Sequence, residues 1–186
     1  MSNNISQLIK GCIKGKRTFQ KELFLLYNKS LYAVSLKYIR QTEDAQEVLQ
    51  DSWVEIFKSL ESYSEQGKLE GWMKTIVIRT AWKKIRSRKK FEELEMHDIN
   101  NNINPNSQWM DKMTCEEILN LLDFVPTASR MVFKLFILDQ FSHSEIAQQL
   151  EITESTSRAH LTKARKILKE KFTLLNNVSR NGIQAI

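Results

Sequence analysis

The chain has 186 residues, enough for one medium domain or two small ones, and its 28 lysines and arginines outnumber its 22 acidic residues to give a net charge of +6. Its two cysteines, Cys12 and Cys115, stand far apart without a second ligand pair, which argues against a disulfide scaffold or zinc site and for reduced thiols in the cytoplasm. The chain contains no apolar run of membrane-spanning length, no signal-peptide core and few glycines or prolines. We therefore predict an almost wholly helical protein without membrane insertion.

The charges lie in blocks along the chain. Residues 41–65 contain seven acidic residues and one lysine, whereas residues 70–90 contain eight basic residues and one glutamate. Residues 91–123 are acidic again, and the last long helix is basic. This alternation indicates separate surfaces for separate partners, and the excess positive charge mildly favours polyanions.

Two amphipathic helices are predicted in the first third of the chain. The earlier one, from about Arg17 to Arg40, has an apolar stripe of Phe19, Leu23, Tyr27, Leu31, Val34 and Tyr38. Thr42 is expected to cap the later one, whose first turn begins with Glu43 and Asp44 at its positive end. The apolar face of this second helix consists of Val48, Leu49, Trp53, Ile56, Phe57 and Leu60.

The second predicted helix also has acidic residues spaced for an outward face, namely Glu43, Asp44, Glu47, Asp51 and Glu55. This face either serves solubility or docks on a basic protein surface. The polar loop after it, Ser62–Lys68, contains Tyr63. Tyr63 either stacks on an extruded base or pins the loop onto the domain.

A third helix follows the loop, with an inward stripe of Leu69, Trp72, Met73, Ile76, Val77, Ala81 and Ile85. Its opposite side has four cations at offsets of four, seven and eleven, namely Arg79, Lys83, Arg86 and Lys90, with Lys84 nearby. These cations suit the binding of phosphates, although a solvated helix C-terminus also favours positive charge. Trp82 lies off the apolar stripe and is either packed or exposed against a base or a partner.

These helices form one predicted domain, residues 5–90, and a flexible acidic linker is predicted over residues 91–113. A second bundle is predicted over residues 114–175. Its first helix contains Ile118, Leu119, Leu121 and Leu122 and is broken near Pro126, and its second helix runs over Met131–Leu138. Residues 176–186 have the character of a frayed tail.

The second bundle ends in two tightly joined helices. Ser142 and Glu145 form a capping box at the start of one, and Thr153 is a suitable cap for the other. Between them, residues 151–153 are too few for anything but a turn, and Glu151 is strained there if its φ is positive. The last helix turns Ser157, Leu161, Ala164 and Leu168 inward. Its polar and basic outer face suits a recognition helix in a major groove, although a solvated face has the same composition.

The sequence contains no catalytic constellation. His97, His143 and His160 have no evident nucleophile or carboxylate partners, and the chain lacks a Gly-rich phosphate loop and the common metal motifs. We therefore expect no enzymatic activity, no cofactor and no small-molecule substrate. A nucleic-acid-processing enzyme, as an alternative, would need a metal or nucleophile set that these residues do not provide.

In this order, the pieces resemble bacterial RNA polymerase sigma factors of the extracytoplasmic-function group, over nearly the whole chain. Residues 44–53 (DAQEVLQDSW) resemble the helix that docks on RNA polymerase, and residues 71–81 (GWMKTIVIRTA) resemble the helix that reads the start-proximal promoter element. Residues 118–171 resemble the region-four domain, which reads the upstream element. Three residues depart from the family pattern: Arg79 stands where Asn is usual, Lys83 where Asp or Asn is frequent, and Glu151 where Gly is usual.

The resemblance implies an all-α protein of two small helical bundles, the second containing a helix-turn-helix. Its partners would be RNA polymerase core, promoter DNA and a membrane-linked anti-sigma factor, and its location the cytoplasm. We assign polymerase contacts to Asp44, Glu47, Val48, Asp51 and Glu55. We assign start-proximal contacts to Tyr63, Arg79, Trp82, Lys83, Arg86 and Lys90. We assign upstream contacts to Ser155, Thr156, Arg158, Ala159, His160, Thr162 and Lys163. The alternative is a free-standing helix-turn-helix regulator whose N-terminal bundle senses a ligand or dimerises.

Overall fold

The computed structural model describes residues 2–64, 68–92 and 113–183, and within these ranges every regular element is helical, as predicted. The helices are α1 Ser2–Ile13, α2 Arg17–Tyr38, α3 Thr42–Ser59, α4 Leu69–Glu92, α5 Cys115–Leu121, α6 Thr127–Phe133, α7 His143–Leu150 and α8 Glu154–Ile183. The chain divides into two compact units, residues 1–88 (unit 1) and 89–186 (unit 2). Most of the predicted linker, residues 93–112, lies outside the described residues.

In unit 1, α2 packs against both α1 and α3, and a short 3-10 turn at Leu60–Ser62 ends α3. The apolar stripes predicted from the sequence supply most of the core, including the fully buried Leu23, Leu31 and Ile56. Helix α1 was not predicted, because its buried side chains Leu8, Ile9 and Cys12 form a stripe too short to stand out. It lies so close to α2 that a Cβ atom on Gly11 would be 2.3 Å from the Phe19 ring.

The predicted cap of α3 is wrong. The helix begins at Thr42 itself, the preceding Gln41 occupies the cap position, and no side chain makes a capping hydrogen bond there. Glu43 and Asp44 still lie in the first turn, where negative charge is favourable. Burial against α2 therefore stabilises this end of the helix more than local capping does.

In unit 2, α6 and α7 both pack on α8, and α5 also contacts α8. A capping box of Thr114 and Glu117 starts α5, and a π-helical stretch at Lys134–Leu138 extends α6. The Arg130 guanidinium donates to the Val125 carbonyl oxygen from Nε at 3.2 Å and from Nη2 at 3.1 Å, which fixes the chain beside Pro126. Helix α8 continues to Ile183, beyond residue 175, where the predicted bundle ends.

Candidate functional site

The α7 N-terminus has the capping box that the sequence predicted. Ser142 Oγ accepts a hydrogen bond from the Glu145 backbone N–H at 3.2 Å, and Glu145 Oε2 accepts one from the Ser142 N–H at 2.8 Å. Hydrogen bonds from the Ser142 side chain and backbone lower the pKa of Glu145 from its usual value. In this box the backbone N–H of each residue donates to the side chain of the other, so two N–H groups at the helix end have partners. The box therefore fixes where α7 begins.

The turn between α7 and α8 is as short as predicted, and Glu151 has the positive φ that would make it strained. Glu151 adopts the left-handed conformation with φ 54° and ψ 47°, and the Ile152 N–H reaches the Ala147 carbonyl oxygen at 3.1 Å. Thr153 Oγ1 accepts a hydrogen bond from the Thr156 N–H at 3.1 Å and so caps α8. The unfavourable φ at Glu151 allows the tight connection that holds the two helices close together.

Helix α8 has the two faces that its sequence indicates. Ser157, Leu161, Ala164 and Leu168 are buried, and on the opposite side Ser155, Arg158 and Ala159 are exposed. Thr156, Thr162 and Lys163 are half-buried at the flanks. The Arg158 guanidinium lies 2.6 Å from Glu154 Oε2, one turn earlier on the same exposed surface.

His160 differs from the outward placement that the sequence predicted. It is half-buried, and its Nδ1 lies 3.1 Å from Oγ of Ser129, a residue of α6 that is 1% exposed. A second imidazole, His143, lies with its Nδ1 2.9 Å from Ser157 Oγ. Sequence reasoning missed both Ser129 and His143, because residues 31 and 14 positions from their partners share no local pattern.

The basic face of α4 is present over its described part. Arg79, Lys83 and Arg86 are exposed on one side of the helix, while the side chain of Lys90 lies outside the described residues. Trp82 is only 5% exposed, so the interpretation in which it faces a base or partner is wrong. Tyr63 is half-buried, and its ring centroid lies 5.3 Å from that of Trp72, as expected if it pins the loop onto unit 1.

The acidic face of α3 is narrower than predicted. Glu47, Asp51 and Glu55 are exposed, but Val48 is fully buried and Asp44 is 8% exposed, so neither has the surface position that a docking residue needs. Val48 was assigned from the resemblance although its own apolar pattern predicts the core.

Lys84 of α4 explains the position of Asp44. Its ammonium lies 3.3 Å from Asp44 Oδ1 and also contacts Glu47 Oε2. Burial by itself lowers the pKa of Lys84, but hydrogen bonds to Glu47 and Asp44 outweigh it and raise that pKa overall. Lys84 therefore belongs to an ion-pair cluster between α3 and α4, and not to the exposed stripe of Arg79, Lys83 and Arg86.

The described residues include neither a metal-binding cluster nor a membrane-spanning helix. No group of three or more histidine, cysteine, aspartate or glutamate side chains in the described ranges is placed to hold a metal ion. None of the helices there is both long and apolar enough to cross a membrane.

Comparison with known proteins gives two family matches. Residues 23–91 match the model of Sigma-70 region 2, and residues 115–168 match that of Sigma-70, region 4. Together the two matches cover more than half of the chain. The ECF RNA polymerase sigma factor SigM of Mycobacterium tuberculosis is 20% identical over 171 residues, which cover 92% of this chain and 86% of SigM.

Two solved structures share the fold. The sigma factor RpoE, in complex with the anti-sigma factor NepR from Bartonella quintana, has a TM-score of 0.52 and 18% identity, covering 82% of this chain and 96% of RpoE. CnrH, in complex with the cytosolic domain of CnrY, has a TM-score of 0.50 and 16% identity, covering 90% of this chain and 96% of CnrH. At these identities the likeness concerns the fold alone.

Proposed function

The chain belongs to the sigma-70 family and to its extracytoplasmic-function group, and we propose that unit 1 docks on RNA polymerase core and holds the opened promoter while unit 2 reads the upstream element. In this role it binds core and directs promoter-specific transcription initiation. The observation that carries the proposal is that each matched region contains its own helix with an exposed basic or polar face. Reconstitution with core polymerase, followed by promoter-dependent transcription, tests it, and absence of specific transcripts would contradict it.

The exposed acids of α3 support polymerase docking. Glu47, Asp51 and Glu55 follow each other at intervals of four residues, so they line one side of the helix. Because Glu47 also contacts Lys84, the cleaner test is the double variant Asp51→Lys with Glu55→Lys. We expect weaker core binding with unchanged helicity. Glu22→Lys, which reverses an exposed acid on α2, is the matched control and should bind core normally.

The stripe Arg79, Lys83 and Arg86 supports a role in holding a separated strand by its phosphates. Substituting Arg79 and Lys83 together by Ala is expected to impair promoter melting more than closed-complex binding. Permanganate footprinting of unpaired thymines, beside a binding assay, measures the two effects. Lys74→Ala is the control, because Lys74 lies on the same helix but pairs with Glu70 at 2.9 Å. Equal losses in both assays would mean that the stripe only adds general affinity for DNA.

The exposed start of α8 supports recognition of upstream DNA. Replacing Arg158 by Ala is expected to cost about 1–3 kcal/mol of promoter binding if it contacts a base. If it contacts only a phosphate, the loss is smaller and the log–log salt slope falls by about 0.9. Lys169→Ala, an exposed cation further along α8, is the control. Unchanged occupancy and slope for Arg158→Ala would show that another surface reads the DNA.

Two points follow from the family assignment. The region-two match over residues 23–91 occupies the bundle that the alternative, a free-standing regulator, would need for sensing or dimerisation.

We further propose that a protein inhibitor of the anti-sigma type holds the chain inactive and that the chain acts in the cytoplasm, where the polymerase is. The family role is regulatory, so we propose no enzymatic activity. Purifying the chain from its own cells tests this proposal, because the inhibitor should copurify with the chain in the fraction that lacks core polymerase.

A further inference from the structure

We propose that two imidazole–hydroxyl hydrogen bonds hold the start of α8 at the angle its base-reading side chains need, which makes Ser129 and His143 positioning residues for promoter recognition. This inference rests on the proposed function of unit 2. Neither residue belongs to α8: Ser129 lies in α6, and His143 is the first residue of α7. Each bonds to one residue on the inner side of α8, namely His160 and Ser157 respectively.

His143 is held on two sides. Its ring stacks on Phe136, with centroids 4.6 Å apart and planes inclined by 25°, and its Nδ1 lies 2.9 Å from Ser157 Oγ. Ser157 is fully buried, and the Arg165 guanidinium lies 5.9 Å from the centre of the Phe136 ring. Because a hydrogen bond is directional and the imidazole is clamped by stacking, this contact fixes α8 against α7 more tightly than an apolar contact would.

Ser129 makes the corresponding bond from α6, with its Oγ 3.1 Å from His160 Nδ1. His160 follows Ser157 by three residues, so both bonds lie on one side of α8 within its first two turns. Ser129 thus fixes the place of His160, and its hydroxyl can pair with either tautomer of the imidazole.

The consequence for recognition is specific. Hydrogen bonds to base edges depend steeply on distance and angle, whereas charge contacts to phosphates tolerate small displacements. The side of α8 opposite the two bonds carries Ser155 and Ala159, with Arg158 beside them. Loosening either bond is therefore expected to lower discrimination between sequences more than total DNA affinity.

The test uses the full-length chain bound to core polymerase and a randomised duplex library as the probe. Ser129→Ala and His143→Ala are each expected to weaken the upstream sequence preference by about two- to tenfold, the net value of one hydrogen bond. The start-proximal preference, which unit 1 determines, should stay unchanged and serves as the internal control. His143→Asn, whose amide can take the place of Nδ1, should recover most of the upstream preference.

Two controls distinguish unfolding of unit 2 from loss of positioning. The helicity of each variant reports unfolding, and Ser157→Ala removes the hydrogen bond to His143 but keeps its imidazole stacked on Phe136. The inference would be overturned if the upstream preference were unchanged in all three variants, Ser129→Ala, His143→Ala and Ser157→Ala. Equal loss of binding to all sequences would overturn it as well. If Arg158→Ala alone weakens the upstream preference, the proposed function stands and only the inference fails. A wild-type chain that selects no upstream sequence would overturn both.

Discussion

The two helices that we propose to contact DNA, α4 in unit 1 and α8 in unit 2, are held in place by different kinds of side-chain contact. In unit 1, Lys84 of the basic helix α4 is itself held by Asp44 and Glu47 of α3. In unit 2, hydrogen bonds between imidazoles and hydroxyls hold α8, at 2.9 Å for His143–Ser157 and 3.1 Å for Ser129–His160. An ion pair uses one of the cations that could bind phosphate, whereas the imidazole–hydroxyl bonds use none and leave Arg158 of α8 exposed.

The ends of the helices differ in the same way. Helices α2 and α3, with 22 and 18 residues, have no side-chain cap, whereas α5 and α7, with seven and eight residues, each begin with a capping box. Short helices are marginal because nucleation is costly, so the capping boxes favour the formation of α5 and α7, whereas the seven-residue α6 has no side-chain cap and depends on its buried residues. Longer amphipathic helices bury enough apolar surface to form without caps. Stability in unit 1 should therefore depend on the core and the ion pair, and in unit 2 on caps and turn geometry.

The largest expected effect concerns the core of unit 1. Trp82→Ala removes a side chain that is 5% exposed and is expected to lower the free energy of unfolding by about 3–5 kcal/mol. Urea denaturation followed by circular dichroism measures this loss, and Trp82→Phe, which fills more of the space, should lose less. Unchanged stability together with impaired promoter melting would mean that Trp82 acts at the DNA after all.

The next effect breaks the ion-pair cluster. Lys84→Met leaves the Asp44 carboxylate without its ammonium partner and is expected to cost about 1.5–3 kcal/mol, the range for a hydrogen bond to a charged group. The neighbouring exposed Lys83→Met should stay within about 0.5 kcal/mol of wild type. Tryptophan fluorescence during denaturation is suited to the measurement, because three of the four tryptophans, Trp53, Trp72 and Trp82, lie in unit 1. Equal effects of the two variants would contradict a special role for Lys84.

A smaller effect, of opposite sign, is expected in unit 2. Glu151→Gly relieves the positive φ of 54° in the turn and should stabilise unit 2 by about 0.5–1 kcal/mol. Gln148→Gly, an exposed change within α7, should instead destabilise it by about 1 kcal/mol. Hydrogen exchange resolved over α7 and α8 compares the two. Destabilisation by both glycines would show that the side chain of Glu151 contributes more than its backbone strain costs.

The smallest expected effect is with pH. Burial first, and then the charges of Arg158 and Arg165, lower the pKa of His143 below its ordinary value of 6.5, although Glu154 acts against this. As pH falls through about 6.5, the unfolded chain binds a proton that the folded chain resists, so stability should fall until the lowered pKa is passed. His143→Asn should remove this part of the pH dependence of thermal unfolding. An unchanged pH profile would assign the loss to other groups.

Local signals in the sequence predicted much of the fold. Each of these features is formed by residues a few positions apart, so the local sequence pattern determines it. They are the apolar stripes of α2, α3 and α4, the capping box at Ser142 and the turn at Glu151. The outward position of Arg79, Lys83 and Arg158 followed from the same periodicity. Helix α1 and the continuation of α8 to Ile183 escaped prediction, because neither has a long apolar stripe of its own.

What the sequence by itself determined is most of the helices, their inner and outer faces and the helix-turn-helix. Only the tertiary structure decided which polar and aromatic side chains lie between helices. Trp82 lies off the stripe of α4 and is buried nonetheless, Lys84 and Asp44 meet across 40 positions of sequence, and Ser129 meets His160 across 31. Helical periodicity relates residues three and four positions apart, whereas contacts of this kind depend on how separate helices pack.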